Sequence, residues 1–121
     1  MNRYLIVLLL SLFPFAKAIA ETETEIQYLL SFIEGSGCTF ERNDTYYSAA
    51  EARSHIQNKY DYAKRWILTT EDFIQYTATK SSISGKPYYV LCQDERQPSA
   101  QWLMAELERY RSETAAKLPK H

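Results

Sequence analysis

Two kinds of apolar pattern divide the chain. From Leu5 to Ala16 nearly every residue is apolar, whereas from Ile26 onward apolar residues recur every three or four positions or alternate with polar ones. The first pattern is led by Arg3 and followed by the small-x-small triplet Ala18-Ile19-Ala20, which predicts an export signal over residues 1–20, cut after Ala20. The run is shorter than the roughly 20 apolar residues a bilayer span needs and contains Pro14, so no stable membrane span is expected after cleavage. Without a cysteine at the cleavage point, a lipid-anchored form is not expected either.

The second pattern predicts a single domain over residues 21–121. Ile26, Leu29, Leu30 and Ile33 have helical spacing, and Gly35-Ser36-Gly37 ends that helix by allowing the chain to turn sharply. Cys38 to Arg42 alternates as a strand does, with Cys38, Phe40 and Arg42 on one face. Asn43-Asp44 tolerates the positive φ of a two-residue hairpin turn, so Thr45-Tyr46-Tyr47 is read as the return strand. Ser48 and Glu51 have capping-box spacing and start a second helix, whose apolar line runs Ala49, Ala52, Ile56, Tyr60, Ala63 and Ile67 over about five turns.

Thr69 and Thr70 are candidate caps for a third helix that turns Phe73, Ile74 and Thr77 inward. Ser81 to Pro87 is read as a loop, Tyr88 to Leu91 as a strand leading to Cys92, and Asp94 to Ser99 as a polar connection. Ala100, Leu103, Leu107 and Tyr110, joined by Trp102, mark a last helix, with the tail after Thr114 frayed. The fold class is therefore α+β: a small domain with a three-stranded antiparallel sheet, hairpin plus one strand, packed with about four helices.

Charge narrows the partners. Cleavage would remove Arg3 and Lys17, taking the 14 basic residues to 12 against 15 acidic ones, a net charge of −3. Without a basic run, nucleic acid is excluded as a partner class, because phosphate binding needs clustered Lys and Arg. An oxidising compartment favours pairing Cys38 with Cys92 over leaving two buried thiols. In the chain-entropy view, closing that loop restricts the unfolded state by roughly 4 kcal/mol. No metal or cofactor is expected, since His55 and His121 are the only histidines and there is no C-x-x-C pair.

Candidate chemistry is sparse. Glu51, His55 and Lys59 stand four residues apart on one strip of the second helix, either a general base oriented by Glu51 or an ordinary solvated face, and the second is the more common use of such spacing. The Ser81–Pro87 loop offers hydroxyls, Gly85 and Lys86, a composition suited to a carboxylate, phosphate or sugar hydroxyl. It lacks the glycine and hydroxyl positions of a phosphate-binding P-loop and has no S-x-x-K spacing, so it is read as a structural or binding loop.

Four segments together carry a resemblance: Phe40-x-Arg42-Asn43, Glu51-Ala52-x-x-His55-Ile56-x-x-Lys59, Thr70-Glu71-x-Phe73-Ile74, and Ser81-Ser82-Ile83-x-Gly85-Lys86-Pro87-Tyr88. In this joint spacing the chain resembles the YfeK-like family of small exported bacterial proteins, a domain of unknown function, from about Glu25 into the last helix. The resemblance implies a Gram-negative periplasmic location and a single α+β domain. It carries over no reaction and no catalytic residue. Asp44 stands where that family often has glycine, and the cysteine pair, not universal in the family, would be an added staple.

Three readings follow. The first is a non-enzymatic binding or interaction module of the bacterial envelope, with candidate binding residues Arg42, Asn43, His55, Lys59, Ser82, Ser84 and Lys86. Its anion-friendly patch would be Arg42, His55, Lys59 and Lys86, and its partner an envelope protein, a peptide or a cell-wall fragment. The second is a small envelope hydrolase or lyase using His55, oriented by Glu51, with Ser82 or Ser84 of the Ser81–Lys86 loop. The third is a purely structural accessory protein, in which the same polar residues hold loops in place.

Overall fold

The computed structural model describes the backbone of residues 3–118 and the side chains of residues 16–118. Arg3, the Leu5–Ala16 run up to residue 15, and His121 thus have side chains outside the described residues. The element order is α1 (Arg3–Gly35), β1 (Thr39–Arg42), β2 (Thr45–Tyr47), α2 (Ala49–Ala63), a short 3-10 turn (Lys64–Trp66), α3 (Thr70–Thr77), β3 (Tyr89–Cys92), β4 (Glu95–Pro98) and α4 (Ser99–Ala116). Helix α1 packs against α2, α3 and α4, while α2 rests on β1 and α4 on β3 and β4. No helix among the described residues is long and apolar enough to cross a membrane.

The local signals act where the sequence places them. Ile26, Leu29, Leu30 and Ile33 are the buried stripe of α1, and Gly37 turns the chain with φ 70°. Ser48 and Glu51 close a capping box on α2, and Thr69 with Asp72 closes another on α3, so each pair satisfies backbone N–H groups that a helix start leaves open. Helix α2 is shorter than its apolar line suggests, ending at Ala63 and tightening into the 3-10 turn before Ile67. Helix α4 persists to Ala116, beyond the frayed tail expected after Thr114.

The sheet is antiparallel throughout, in the order β2-β1-β3-β4, one strand wider than the alternation predicts. The Asp94–Ser99 segment, read as a polar connection, contains β4. Gln93 (φ 50°) and Asp94 (φ 68°) form its two-residue turn without glycine, and Glu95-Arg96-Gln97-Pro98 contains no apolar alternation. Pairing with β3 makes it a strand, and an edge position tolerates both its polarity and Pro98. The first hairpin does turn at Asn43 (φ 51°) and Asp44 (φ 63°) as expected.

Register fixes what the helix-covered face presents. Phe40 of β1 stands opposite Val90 of β3 and Tyr47 of β2. Continued one step beyond each end of that ladder, the same register sets Cys38 opposite Cys92 and Arg42 opposite Tyr88. The two cysteines form a disulfide, with Cα atoms 4.8 Å apart. One face thus carries a covalent staple at one end, buried Phe40 and Val90 in the middle, and the Arg42–Tyr88 pair at the other. On the opposite face Glu41 accepts two hydrogen bonds from Arg96, whose guanidinium lies 3.6 Å from the Tyr89 ring centroid.

Candidate functional site

Helix α2 crosses the Arg42–Tyr88 end of the sheet. Its Ala52, Ile56 and Tyr60 point into the core, which places His55 and Lys59 half-buried on the adjoining strip. Both reach the Tyr88 hydroxyl, His55 Nε2 at 3.2 Å and Lys59 Nζ at 3.3 Å. An ammonium can only donate, so Tyr88 Oη accepts from Lys59 and its own proton is left for the Nε2 of a neutral His55, placing the histidine proton on Nδ1. Lys59 also donates to the Lys80 carbonyl at 3.2 Å and lies 5.2 Å from the centre of the Tyr88 ring.

Arg42 joins from the sheet, donating to the Tyr47 hydroxyl at 3.2 Å with its guanidinium over that ring. It makes no salt bridge among the described residues. Burial and the nearby charges of Arg42 and Lys59 together hold the His55 pKa below its ordinary value. Lys59 is also lowered, by burial and by Arg42. Burial raises the Tyr88 pKa, with the Arg42 charge pulling the other way, so the phenol keeps its proton.

Beside this cluster, between the first turns of α2 and the sheet, lies a pocket of about 380 Å³. Phe40, Ala52 and Ile56 give it an apolar wall, and Arg42, His55 and Tyr88 contribute its polar end. Two carboxylates also line it, but both are committed. Glu41 pairs with Arg96, and Glu51 accepts from the Ser48 backbone N–H at 2.9 Å. Sequence spacing cast Glu51 as the orienter of His55, but the structure uses it as the helix cap instead. Among the described residues, no group of three or more His, Cys, Asp or Glu side chains is placed to hold a metal ion.

The remaining candidates form a separate assembly. Asn43 at the hairpin turn donates to Ser81 Oγ at 3.2 Å and accepts from Ser84 Oγ, while Lys86 pairs with Asp44 at 2.8 Å. Ser81 Oγ also receives the backbone N–H groups of Ile83 and Ser84, and its own N–H bonds the Lys86 carbonyl at 2.9 Å. The Ser81–Pro87 loop is thereby latched onto the β1–β2 turn. Lys86, expected in the same patch as Arg42, is held at this latch rather than on the pocket wall, and Ser82 is exposed. His55 hydrogen-bonds a tyrosine, not a serine.

In the sequence Tyr88 reads as an ordinary strand residue. Its one signal was position: two places before Val90, it falls on the same face as Arg42 once the register is known.

Fold and site together define a small α+β domain with an apolar-walled pocket at one end of its sheet, whose polar end carries Arg42, His55 and Tyr88. The chain matches the model of a family of unknown function (DUF5329) over residues 20–111 and belongs to that family. It is 37% identical over 84 residues to the Salmonella typhimurium (strain LT2) protein named "Uncharacterized protein YfeK", an alignment covering 69% of this chain and 70% of the relative. No solved structure matches it.

Proposed function

We propose that this protein is an exported, periplasmic binding module of the bacterial envelope, without catalytic activity of its own, whose pocket takes an anionic group on a partner protein, a peptide or a cell-wall fragment. The observation that carries this reading is the convergence of Arg42, His55 and Lys59 around the Tyr88 hydroxyl, beside a pocket whose two carboxylates are already engaged elsewhere. Besides burial, the Arg42 charge lowers the pKa of both His55 and Lys59, and Lys59 lowers that of His55, which marks a local positive potential that an incoming anion would relieve. Export is supported by the leader pattern of residues 1–20, and a bacterial setting by the Salmonella relative.

The hydrolase reading needs a hydroxyl nucleophile within reach of His55 and a carboxylate behind it. Neither Ser82 nor Ser84 hydrogen-bonds that ring, and Glu51 is spent on the helix cap. The structural reading does suit Asn43, Ser84 and Lys86, which hold the loop to the turn.

The test is a thermal-shift screen of the purified protein against acetate, inorganic phosphate, sugars and muropeptides. A ligand at 100 times its Kd adds about 2.7 kcal/mol to stability. The expected result is a shift with anions that Arg42→Ala abolishes and Lys86→Ala leaves intact. A shift that survives Arg42→Ala, or no shift with any anion, would overturn the proposal.

A further inference from the structure

We propose that the ligand of this pocket is an apolar monocarboxylate, a compact hydrocarbon-bearing group with one free carboxylate that Arg42 holds as a fork; the inference rests on the anion-binding reading above and specifies its ligand.

Three observations set the class. The first is the number of charges on the wall. Arg42 is the cation lining the pocket; Lys59 stands behind Tyr88, with its donors on that hydroxyl and on the Lys80 carbonyl. His55 lines the pocket, and its burial between two cations favours the neutral ring. Of the two carboxylates on the wall, Glu41 is balanced by Arg96 and Glu51 is held at the positive end of α2 by the Ser48 N–H, so Arg42 is the wall's one cation without a counter-charge, which a single negative charge would supply. A dianion would leave a second charge uncompensated against apolar side chains, where desolvation is costly.

The second observation is donor geometry. A guanidinium presents five N–H groups in a plane, and Arg42 gives one bond to Tyr47 and enters no ion pair among the described residues. A planar carboxylate matches two parallel N–H donors, which a compact ammonium such as lysine cannot offer. The third is the remainder of the cavity. Phe40, Ala52 and Ile56 provide no hydrogen bonds from their side chains, and the hydroxyls of Tyr47, Ser54 and Ser99 are too few to replace the hydration of a sugar or polyol along that wall. At about 380 Å³ the space suits roughly a dozen non-hydrogen atoms, taking about 30 Å³ for each water-sized group. That is one apolar residue with its carboxylate, either as a free acylated amino acid or at the C-terminus of a peptide.

Isothermal titration of the purified protein separates these cases, using N-acetyl-leucine, N-acetyl-leucinamide, acetate, inorganic phosphate and a short peptide ending in leucine. The expected result is N-acetyl-leucine binding at least about tenfold more tightly than acetate or the amide, a gap of about 1.4 kcal/mol. Two variants accompany it. Arg42→Lys keeps the charge and loses the fork, and is expected to weaken binding. Ala50→Trp, at an exposed pocket-lining position on the first turn of α2, fills the apolar part and is expected to abolish the preference over acetate.

A peptide binding more tightly than N-acetyl-leucine would identify a chain terminus as the source, and equal affinity a free acid; both support the class. Acetate or phosphate binding as tightly as N-acetyl-leucine, unaffected by Ala50→Trp, would overturn this inference and leave the anion site standing. Equal binding of the amide, or no binding of any probe, would overturn both. Unchanged circular dichroism of the variants certifies that each loss is local.

Discussion

At Tyr88 one hydroxyl serves two neighbours of different character, accepting from Lys59 and meeting His55 Nε2. A group whose folded pKa lies below its unfolded value is protonated more readily when the chain unfolds. Its contribution to stability is fully present above the unfolded value, 6.5 for histidine, and is lost as pH falls through 6.5 toward the folded value. Stability should therefore drop as pH falls through 6.5, and His55→Gln should flatten that drop. The carboxylates of Glu25, Glu71 and Glu106, lowered from 4.5 chiefly by hydrogen bonds from Arg111 and Arg109, lose their contribution in a lower window. In an NMR titration the His55 midpoint should lie below 6.5 and move up in Arg42→Ala; a midpoint insensitive to Arg42 would refute the placement of that charge. Arg42, His55 and Lys59 are legible in the sequence as polar residues at helical or alternating spacing. Tyr88 is not, because a tyrosine next to Tyr89-Val90-Leu91 reads as strand filling until the register shows what faces it.

Elements were legible where backbone chemistry marks their ends. The box at Ser48 and Glu51 starts α2 in the frame that turns Ile56 and Tyr60 inward and so leaves His55 and Lys59 beside Tyr88. Ser48→Ala should cost about 1 kcal/mol in a denaturant melt, within the 0.5 to 2 kcal/mol usual for such caps. Because alanine keeps the Ser48 backbone N–H that Glu51 accepts from and removes only the hydroxyl, the lowered Glu51 pKa should rise only part of the way toward 4.5 in the same variant. An unchanged melt would mean that the cap is redundant with tertiary packing. Strand β4 is not legible for a related reason: nothing in Glu95-Arg96-Gln97-Pro98 prefers extended structure, and the Gln93-Asp94 turn that joins it to β3 lacks the glycine that marks a hairpin. The Ser81–Pro87 loop is legible as a loop from its serines, Gly85 and Pro87, while its latch to Asn43 and Asp44 depends on contacts across about forty residues.

For the whole molecule, α1 is the central strut. Its buried stripe fills the core, and its polar residues tie outward: Glu23 accepts from Tyr60, Glu25 from Thr70 and Arg111, and Tyr28 donates to Glu106, which Arg109 also holds. The Cys38–Cys92 bond pins the chain leaving α1 to the sheet. Replacing both cysteines by alanine should lower stability by about 2–4 kcal/mol in denaturant unfolding. Ligand affinity below the transition should be unchanged, since Arg42 and Tyr88 occupy the other end of the sheet face; a lost pocket would show that the staple shapes the site. The sequence by itself determined the helices, the first hairpin, the candidate cysteine pair and the α+β class, because caps, turns and periodicity are local and act within a few residues. Tertiary structure alone decided the fourth strand, the removal of Lys86 to Asp44 and the gathering of Arg42, His55 and Lys59 on Tyr88. The fourth strand is extended by its pairing with β3 and not by its own residues, and the other two depend on strand register and helix crossing, which bring together residues whose separation along the chain carries no signal of their meeting.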